Sequence, residues 1–211
     1  TAPVSEVRFS KDEAVLESEK LLNIYHGARQ SWAENAVEDE DFYLGAQWTE
    51  RQKKELTRMK QSPIVVNVIY PAVEQAVAAL TANSPKFSST GREGSDIKIG
   101  ALFSDLMSFV WDNSVGNTQL KQVAKDYYVK GMGIFCAYAD PFADSGKGEV
   151  YVKSMDPFDV FFDPNSQDPF CRDSANVIIS KVMSKEQILH AYPTFKDQLE
   201  YAQPTEGKPR Y

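Results

Sequence analysis

The feature that most constrains the fold is a change of apolar period at Gly131. Before it, apolar residues recur three and four apart, the spacing of helix faces; after it they fall into short β-branched and aromatic runs. Ser10 and Glu13 have the spacing of a capping box, and Ala14, Leu21, Tyr25, Ala28 and Trp32 continue it as a long helix from about Lys11 to Val37. Thr49 and Gln52 repeat the box and open a short basic helix to about Lys60, which Ser62-Pro63 breaks. Asn67 reads as the N-cap of a third helix with Ile69, Ala72, Val73, Ala76 and Leu80 on one face and Pro71 in the first turn. Lys86–Ser89 is a strand candidate, and Thr90–Ser95 a loop. From Ser95 the pattern Ile99, Leu102, Phe103, Leu106 and Val110 is helical, with Met107, Phe109 and Trp111 widening it; such a helix is expected to be buried on more than one side. Leu120, Val123, Ala124, Tyr127 and Tyr128 carry a further helix to a terminator at Gly131.

Downstream, Ile134–Ala139 and Val150–Met155 read as strands joined by the turn-rich Asp140–Gly148. Val160–Phe162 is short and extended, Val177–Met183 is a third strand, and Ser184 with Gln187 caps a last helix through His190, before Pro193. Helices first and strands later define an α+β chain. The expected division is a helical portion at 1–131, a strand-rich portion at 132–193 and a polar tail at 194–211.

At 211 residues, with 42% hydrophobic and 25% charged side chains, the chain has an ordinary globular composition. It holds no apolar run long enough for a transmembrane helix, and its first residues lack the basic start and apolar core of a signal peptide. The absent initiator Met points to a piece of a longer chain. Cys136 and Cys171 have no metal-ligand spacing, which favours a reduced, cytoplasmic setting.

The net charge of −7 is unevenly spread: Lys11–Asp41 holds nine acids against three bases, whereas Arg51–Lys60 holds five bases against one acid. Duplex binding needs many cations facing phosphates, so an acidic chain makes a poor general duplex binder; that suits a surface past which DNA slides, and simple solubility explains the charge about as well. Arg51, Lys54 and Arg58 share one helical face. That face has three readings: a phosphate-facing surface, a partner for the acidic first helix in the same or the next subunit, or a solvated face.

Asp156, Asp159 and Asp163 are the carboxylates that a divalent metal would use, but their spacing is unlike a calcium loop, and Asp-Pro opens turns. His26 and His190 have no nucleophile at an informative spacing. Gly131-Met132-Gly133 precedes a strand, the wrong context for a dinucleotide loop, and no phosphate-binding GxxxxGK[ST] sequence occurs. The expectation is therefore no catalytic residue, no cofactor and no metal.

Three signatures occur in a fixed order: Phe42-Tyr43-Leu44-Gly45-Ala46-Gln47-Trp48, then Ser62-Pro63-Ile64-Val65-Val66-Asn67-Val68-Ile69, then Asp156-Pro157-Phe158-Asp159-Val160-Phe161-Phe162-Asp163-Pro164. In this order they resemble the N-terminal part of the portal protein of short-tailed double-stranded DNA bacteriophages, over roughly Lys11 to Pro193. The resemblance implies the first part of a wing region in a homo-oligomeric head-to-tail connector of twelve subunits at the unique capsid vertex. It also implies passage of double-stranded DNA during packaging and ejection, and a virion location after assembly in the host cytoplasm. Capsid, scaffolding, terminase and tail-adaptor proteins would be its partners, with no membrane. Stem and clip regions would follow, and no long helical pattern after Met183 supplies them.

Trp32, Phe42, Tyr43, Trp48, Arg51, Lys54, Arg58, Phe109 and Trp111 are the candidate subunit-interface or packing anchors. Two other classes stay open: a metal-dependent nucleic-acid-processing enzyme built on the three aspartates, and a monomeric scaffold or adaptor domain.

Overall fold

A computed structural model describes residues 11–91, 97–141, 143–168 and 170–196. The order is helices first, then strands, in an α+β arrangement. Helix α1 is Lys11–Leu44, α2 Glu50–Arg58, α3 Ile69–Leu80, α4 Ile97–Asn113 and α5 Gly116–Lys130. Strand β1 is Ile134–Asp140, β2 Glu149–Met155, β3 Val160–Phe162 and β4 Val177–Ile179. A short helix at Lys185–Ala191 follows. Contacts divide the chain into two units, Thr1–Glu34 with Phe158–Tyr211, and Asn35–Pro157.

Local chemistry sets most of the helix ends. The Gln52 N–H donates to Thr49 Oγ1 and the Thr49 N–H to Gln52 Oε1, completing the capping box of α2. Ser184 and Gln187 make the same reciprocal pair ahead of the last helix. Asn67 Oδ1 accepts from the N–H groups of Ile69 and Tyr70, serving the exposed first turn of α3. Gly45 and Gly131, both with positive φ, close α1 and α5. The first expected capping box, at Ser10, and the polar tail from Gln203 lie outside the described residues.

Helix α1 runs one to two turns further than its apolar pattern suggests, because the acidic Glu38–Asp41 stays helical up to Gly45. Its sheltered stripe is Tyr25, Arg29, Trp32, Ala36, Glu40 and Tyr43, at steps of three or four, while Ala28 faces solvent.

In the Asn35–Pro157 unit, α3 and α4 pack on α5, and β2 lies on α4 and α5. Within α3 the inward residue is Val77, with Val73 partly sheltered, and Leu80 points outward. The expected face was displaced because the helix is apolar nearly all round, which leaves the docking partner α5 to choose. Trp111 closes this core between Phe87 and Phe135, at ring-centroid distances of 5.4 and 6.1 Å. Strands β1 and β2 pair antiparallel over seven residues, from Ile134 opposite Met155 to Asp140 opposite Glu149.

In the other unit, β3 and β4 pair antiparallel, Phe161 opposite Ile178. Val160, Phe161 and Tyr25 are its buried apolar residues.

Three expectations fail here. Lys86–Ser89 forms no strand: the Ser89 N–H is taken by Ser104 Oγ on α4 instead of by a ladder. The third strand stops at Ile179, because β3 offers only three residues to pair with and the Ser180 N–H already bonds the Asp159 carbonyl. Helix α4 is not buried on several sides; only Gly100 and Trp111 are buried, and Leu102 is 67% exposed.

Two glycines give opposite stability expectations. A Cβ on Gly116 would sit 2.2 Å from the Trp111 indole, so Gly116→Ala is expected to destabilise by about 1–3 kcal/mol through overpacking. A Cβ on Gly27 meets nothing within 4 Å, and alanine in a helix interior gains about 0.5–1 kcal/mol, so Gly27→Ala should raise the melting temperature. Thermal denaturation followed by circular dichroism checks both signs.

Candidate functional site

The three ordered signatures are where the long-range side-chain ties concentrate. Tyr43, buried at the end of α1, donates its hydroxyl to Glu74 Oε1 on α3 at 2.5 Å and stacks at 5.2 Å on Tyr70. The Tyr43 carbonyl accepts from Asn67 Nδ2 at 2.8 Å. A side chain on Gly45 would press on that amide at 3.3 Å, so both space and backbone conformation call for glycine. Trp48 Nε1 donates to the Ile64 carbonyl at 3.1 Å. The first signature and the second are thus one packed node, fastened by side-chain to backbone bonds. Burial, then the bond to Glu74, pushes the Tyr43 phenol well above its ordinary range.

The third signature is held by two cations. Lys130, 7% exposed at the end of α5, lies 3.2 Å from Asp126, 3.2 Å from Asp156 and 3.9 Å from Glu40. Burial alone would lower the pKa of this ammonium, and the three carboxylates outweigh it, so the lysine is held above its ordinary 10.5. Gln122 Nε2 donates to the second oxygen of Asp126.

In the other unit, Arg29 on α1 donates to the carbonyls of Val160 and Phe158, and its guanidinium lies over the Phe161 ring at 4.1 Å and over Trp32 at 4.8 Å. Trp32 meets Phe158 at 5.4 Å, and His26 stacks on Phe161 at 6.3 Å. One planar cation satisfies two carbonyls while filling an aromatic slot, a geometry that lysine does not reproduce.

The three aspartates therefore have separate structural tasks. Asp156 binds Lys130, the Asp159 carbonyl ends β4, and Asp163 Oδ1 accepts from the Asn165 N–H in a turn. Among the described residues no group of three or more His, Cys, Asp or Glu is placed to hold a metal.

Of the sequence candidates, Tyr43 and Trp111 are buried, Trp32 and Trp48 half-buried, and Phe42 and Phe109 exposed. Arg51, Lys54 and Arg58 are exposed on α2, where Arg58 pairs with Glu55 in its own helix, as Lys53 does with Glu50. Arg51 and Lys54 make no ion pair among the described residues, so the acidic and basic helices are not matched charge to charge within one subunit. Sequence reading missed Arg29 and Lys130. Arg29 carries a detectable signal, its position between Tyr25 and Trp32 on the same stripe.

In the unit of Thr1–Glu34 and Phe158–Tyr211, α1 exposes Val15, Leu16 and Ile24; in the other, α4 presents Leu102, Phe103, Leu106 and Phe109 to solvent along its length. Contiguous apolar surface of this kind marks an interaction site.

The chain belongs to the phage P22-like portal protein family, whose model matches residues 20–208. No curated protein matches it. The family is structural, not enzymatic, and membership implies an oligomeric, capsid-associated ring at a capsid vertex. No helix among the described residues is long and apolar enough to cross a membrane.

The charged cluster generates a pH prediction. A lysine whose pKa is raised on folding stabilises the fold below its unfolded value of 10.5, and that contribution is lost as pH rises through the folded value. Tyr43 acts in the same direction, since its unfolded phenol ionises near 10.0. Denaturant midpoints should therefore fall above about pH 10, with a shallower fall in Tyr43→Phe. Lys130→Met, which leaves three carboxylates facing one another, should cost about 3–5 kcal/mol at pH 7. Arg29→Lys should lower stability without restoring both carbonyl bonds, measured by thermal denaturation.

Proposed function

We propose that the protein is a head-to-tail portal component: a closed ring of twelve subunits, the conduit for genome packaging and ejection, and the platform to which terminase and tail factors dock. The observation that carries this reading, beyond family membership, is the outward apolar face of α4, with Leu102 at 67% and Phe109 at 58% exposure. A lone subunit leaves that surface in water; a neighbour covering it gains about 25 cal/mol per Å2 of apolar area. Residues 1–131 and 132–193 then form the helical and strand-rich parts of a wing, and the docking of terminase, scaffolding and tail proteins falls to regions beyond them. The exposed Arg51 and Lys54 meet acids of a neighbour's α1, each pair contributing about 0.2–1 kcal/mol and weakening with salt. No chemical step is assigned to any residue, and the virion vertex is the site of action.

Mass photometry of the intact protein at micromolar concentration tests the ring directly. A single species of about twelve subunit masses is expected; a persistent monomer would defeat the reading. Leu102→Asp with Leu106→Asp should give folded subunits with unchanged circular dichroism that no longer form rings. Rings of unaltered mass from this variant would remove α4 from the interface.

A further inference from the structure

The two strands of the β1–β2 hairpin treat their outer edges differently. In an antiparallel ladder, facing residues alternate between pairs that exchange both bonds and pairs whose N–H and C=O groups point away. The Val152 N–H donates to Ser114 Oγ and the Ser154 N–H to Gln119 Oε1, each at 2.9 Å. The backbone groups of these two residues point away from β1, and those of the residues they face, Ala137 and Phe135, point away from β2, with Ala139 following by alternation. On β2 that edge is closed by side chains from the α4–α5 region. On β1 the outward backbone groups of Phe135, Ala137 and Ala139 have no hydrogen-bond partner among the described residues. From Ile134 to Ala139 this edge carries no charge and no proline, the usual devices against strand addition; Asp140 and Pro141 stand only at its far end.

The same chain carries a second stretch that belongs to no sheet and alternates in exposure. Ser62–Val68 belongs to no strand or helix. It is pinned in place by Trp48 Nε1 on the Ile64 carbonyl and by Asn67 Nδ2 on the Tyr43 carbonyl. Val65 Cγ1 lies beside Gly45, while Ile64 and Val66 are 74% and 75% exposed. From Ile64 to Val68 exposed and sheltered residues alternate, between a tight turn at Ser62–Ile64 and the helical start at Val68, and β-branched residues in that pattern have the character of a strand that lacks a sheet.

We propose that Ile64–Val68 of one subunit adds as an antiparallel strand to the open edge of β1 in the neighbouring subunit. The proposal rests on the ring reading and names a contact within it. An arm and an edge are different surfaces, so their pairing is heterologous, the type of contact that a closed ring repeats. The arm is already pinned by Trp48 and Asn67, which reduces the ordering cost of strand addition. The Ile64 N–H bonds the Ser62 carbonyl and the Ile64 carbonyl takes Trp48, so the edge with free groups is the one carrying Val65 and Asn67. In that antiparallel pairing, alternation places Cys136 opposite Ile64, Val66 or Val68, according to register, and not opposite Val65. Facing Cα atoms in such a non-bonded pair lie about 4.5 Å apart, inside the range of about 4.4–6.8 Å that a disulfide spans.

The test uses the intact protein with Cys171→Ser, which leaves Cys136 as the one thiol of this sequence. Ile64→Cys, Val66→Cys, Val68→Cys and Val65→Cys are introduced singly, ring mass is measured, and mild oxidation is followed by a non-reducing gel. At least one even-numbered variant is expected to give a ladder of covalent multimers, with Val65→Cys giving none. Hydrogen exchange at the Ala137 and Ala139 amides should slow by at least about tenfold between dissociated subunits and rings. Rings of the right mass with no ladder from any even position would overturn the strand addition and leave the ring standing. So would a ladder as strong from Val65→Cys, a disulfide within one subunit, or products that stop at Cys136–Cys136 dimers. If every variant and the parent stay monomeric, the ring reading fails first, and the strand addition falls with it.

Discussion

Asn67 is the tie on which the helical unit depends. Its carbonyl oxygen serves the first N–H groups of α3, and its amide nitrogen holds the last turn of α1 through the Tyr43 carbonyl. A helix start and a helix end each leave backbone groups without internal partners, and one side chain satisfies both deficits. That arrangement sets where α3 begins relative to α1, and so where Glu74 meets the Tyr43 hydroxyl and Tyr70 meets its ring. An Asp in its place keeps the cap and loses the amide donor; an Ala loses both. The buried apolar set is small, so polar ties of this kind carry a larger share of the specification than they do in a core-dominated domain.

The Lys130 cluster shows the same economy by a different route. Three carboxylates surround one ammonium, and two of them come from other elements: Glu40 from α1 and Asp156 from the end of β2. Removing the lysine is therefore worse than removing any one acid, since the remaining acids repel one another in a sheltered place. Its effect is to fix the helix end, the strand end and α1 by charge where apolar area is scarce.

Legibility in the sequence followed the range of the interactions. The boxes at Thr49–Gln52 and Ser184–Gln187, the cap at Asn67 and the stops at Gly45 and Gly131 were readable because each is settled within a few residues. The hairpin was readable for the same reason. Arg29 and Lys130 were not: the carbonyl partners of Arg29 lie 129 and 131 residues away, with only its place between Tyr25 and Trp32 to mark it, and Lys130 has Asp126 one turn back but Asp156 and Glu40 far along the chain. The inward face of α3 and the length of β4 were illegible for a third reason. Both are decided by the partner element, by where α5 lies in one case and by the three residues of β3 in the other. Helix α4 is the instructive miss. Its all-round apolar pattern predicts burial, and within one subunit it is exposed. Pattern reports that a surface leaves water, not which chain covers it.

That distinction bears on how a portal subunit meets its neighbour. An apolar helix face such as that of α4 supplies attraction, but apolar contact is non-directional and tolerates sliding. A heterologous contact that repeats at a slightly wrong angle produces an open helix of subunits instead of a ring. Closure therefore asks for a second contact with fixed geometry. Backbone pairing meets that need, since a slip of one residue turns every side chain to the other face. The exposed Val66 and the unguarded edge at Ala137 are what such a contact looks like before the neighbour arrives. A division of labour follows from the chemistry: the helix face supplies adhesion, and the strand edge supplies the angle at which the next subunit is set.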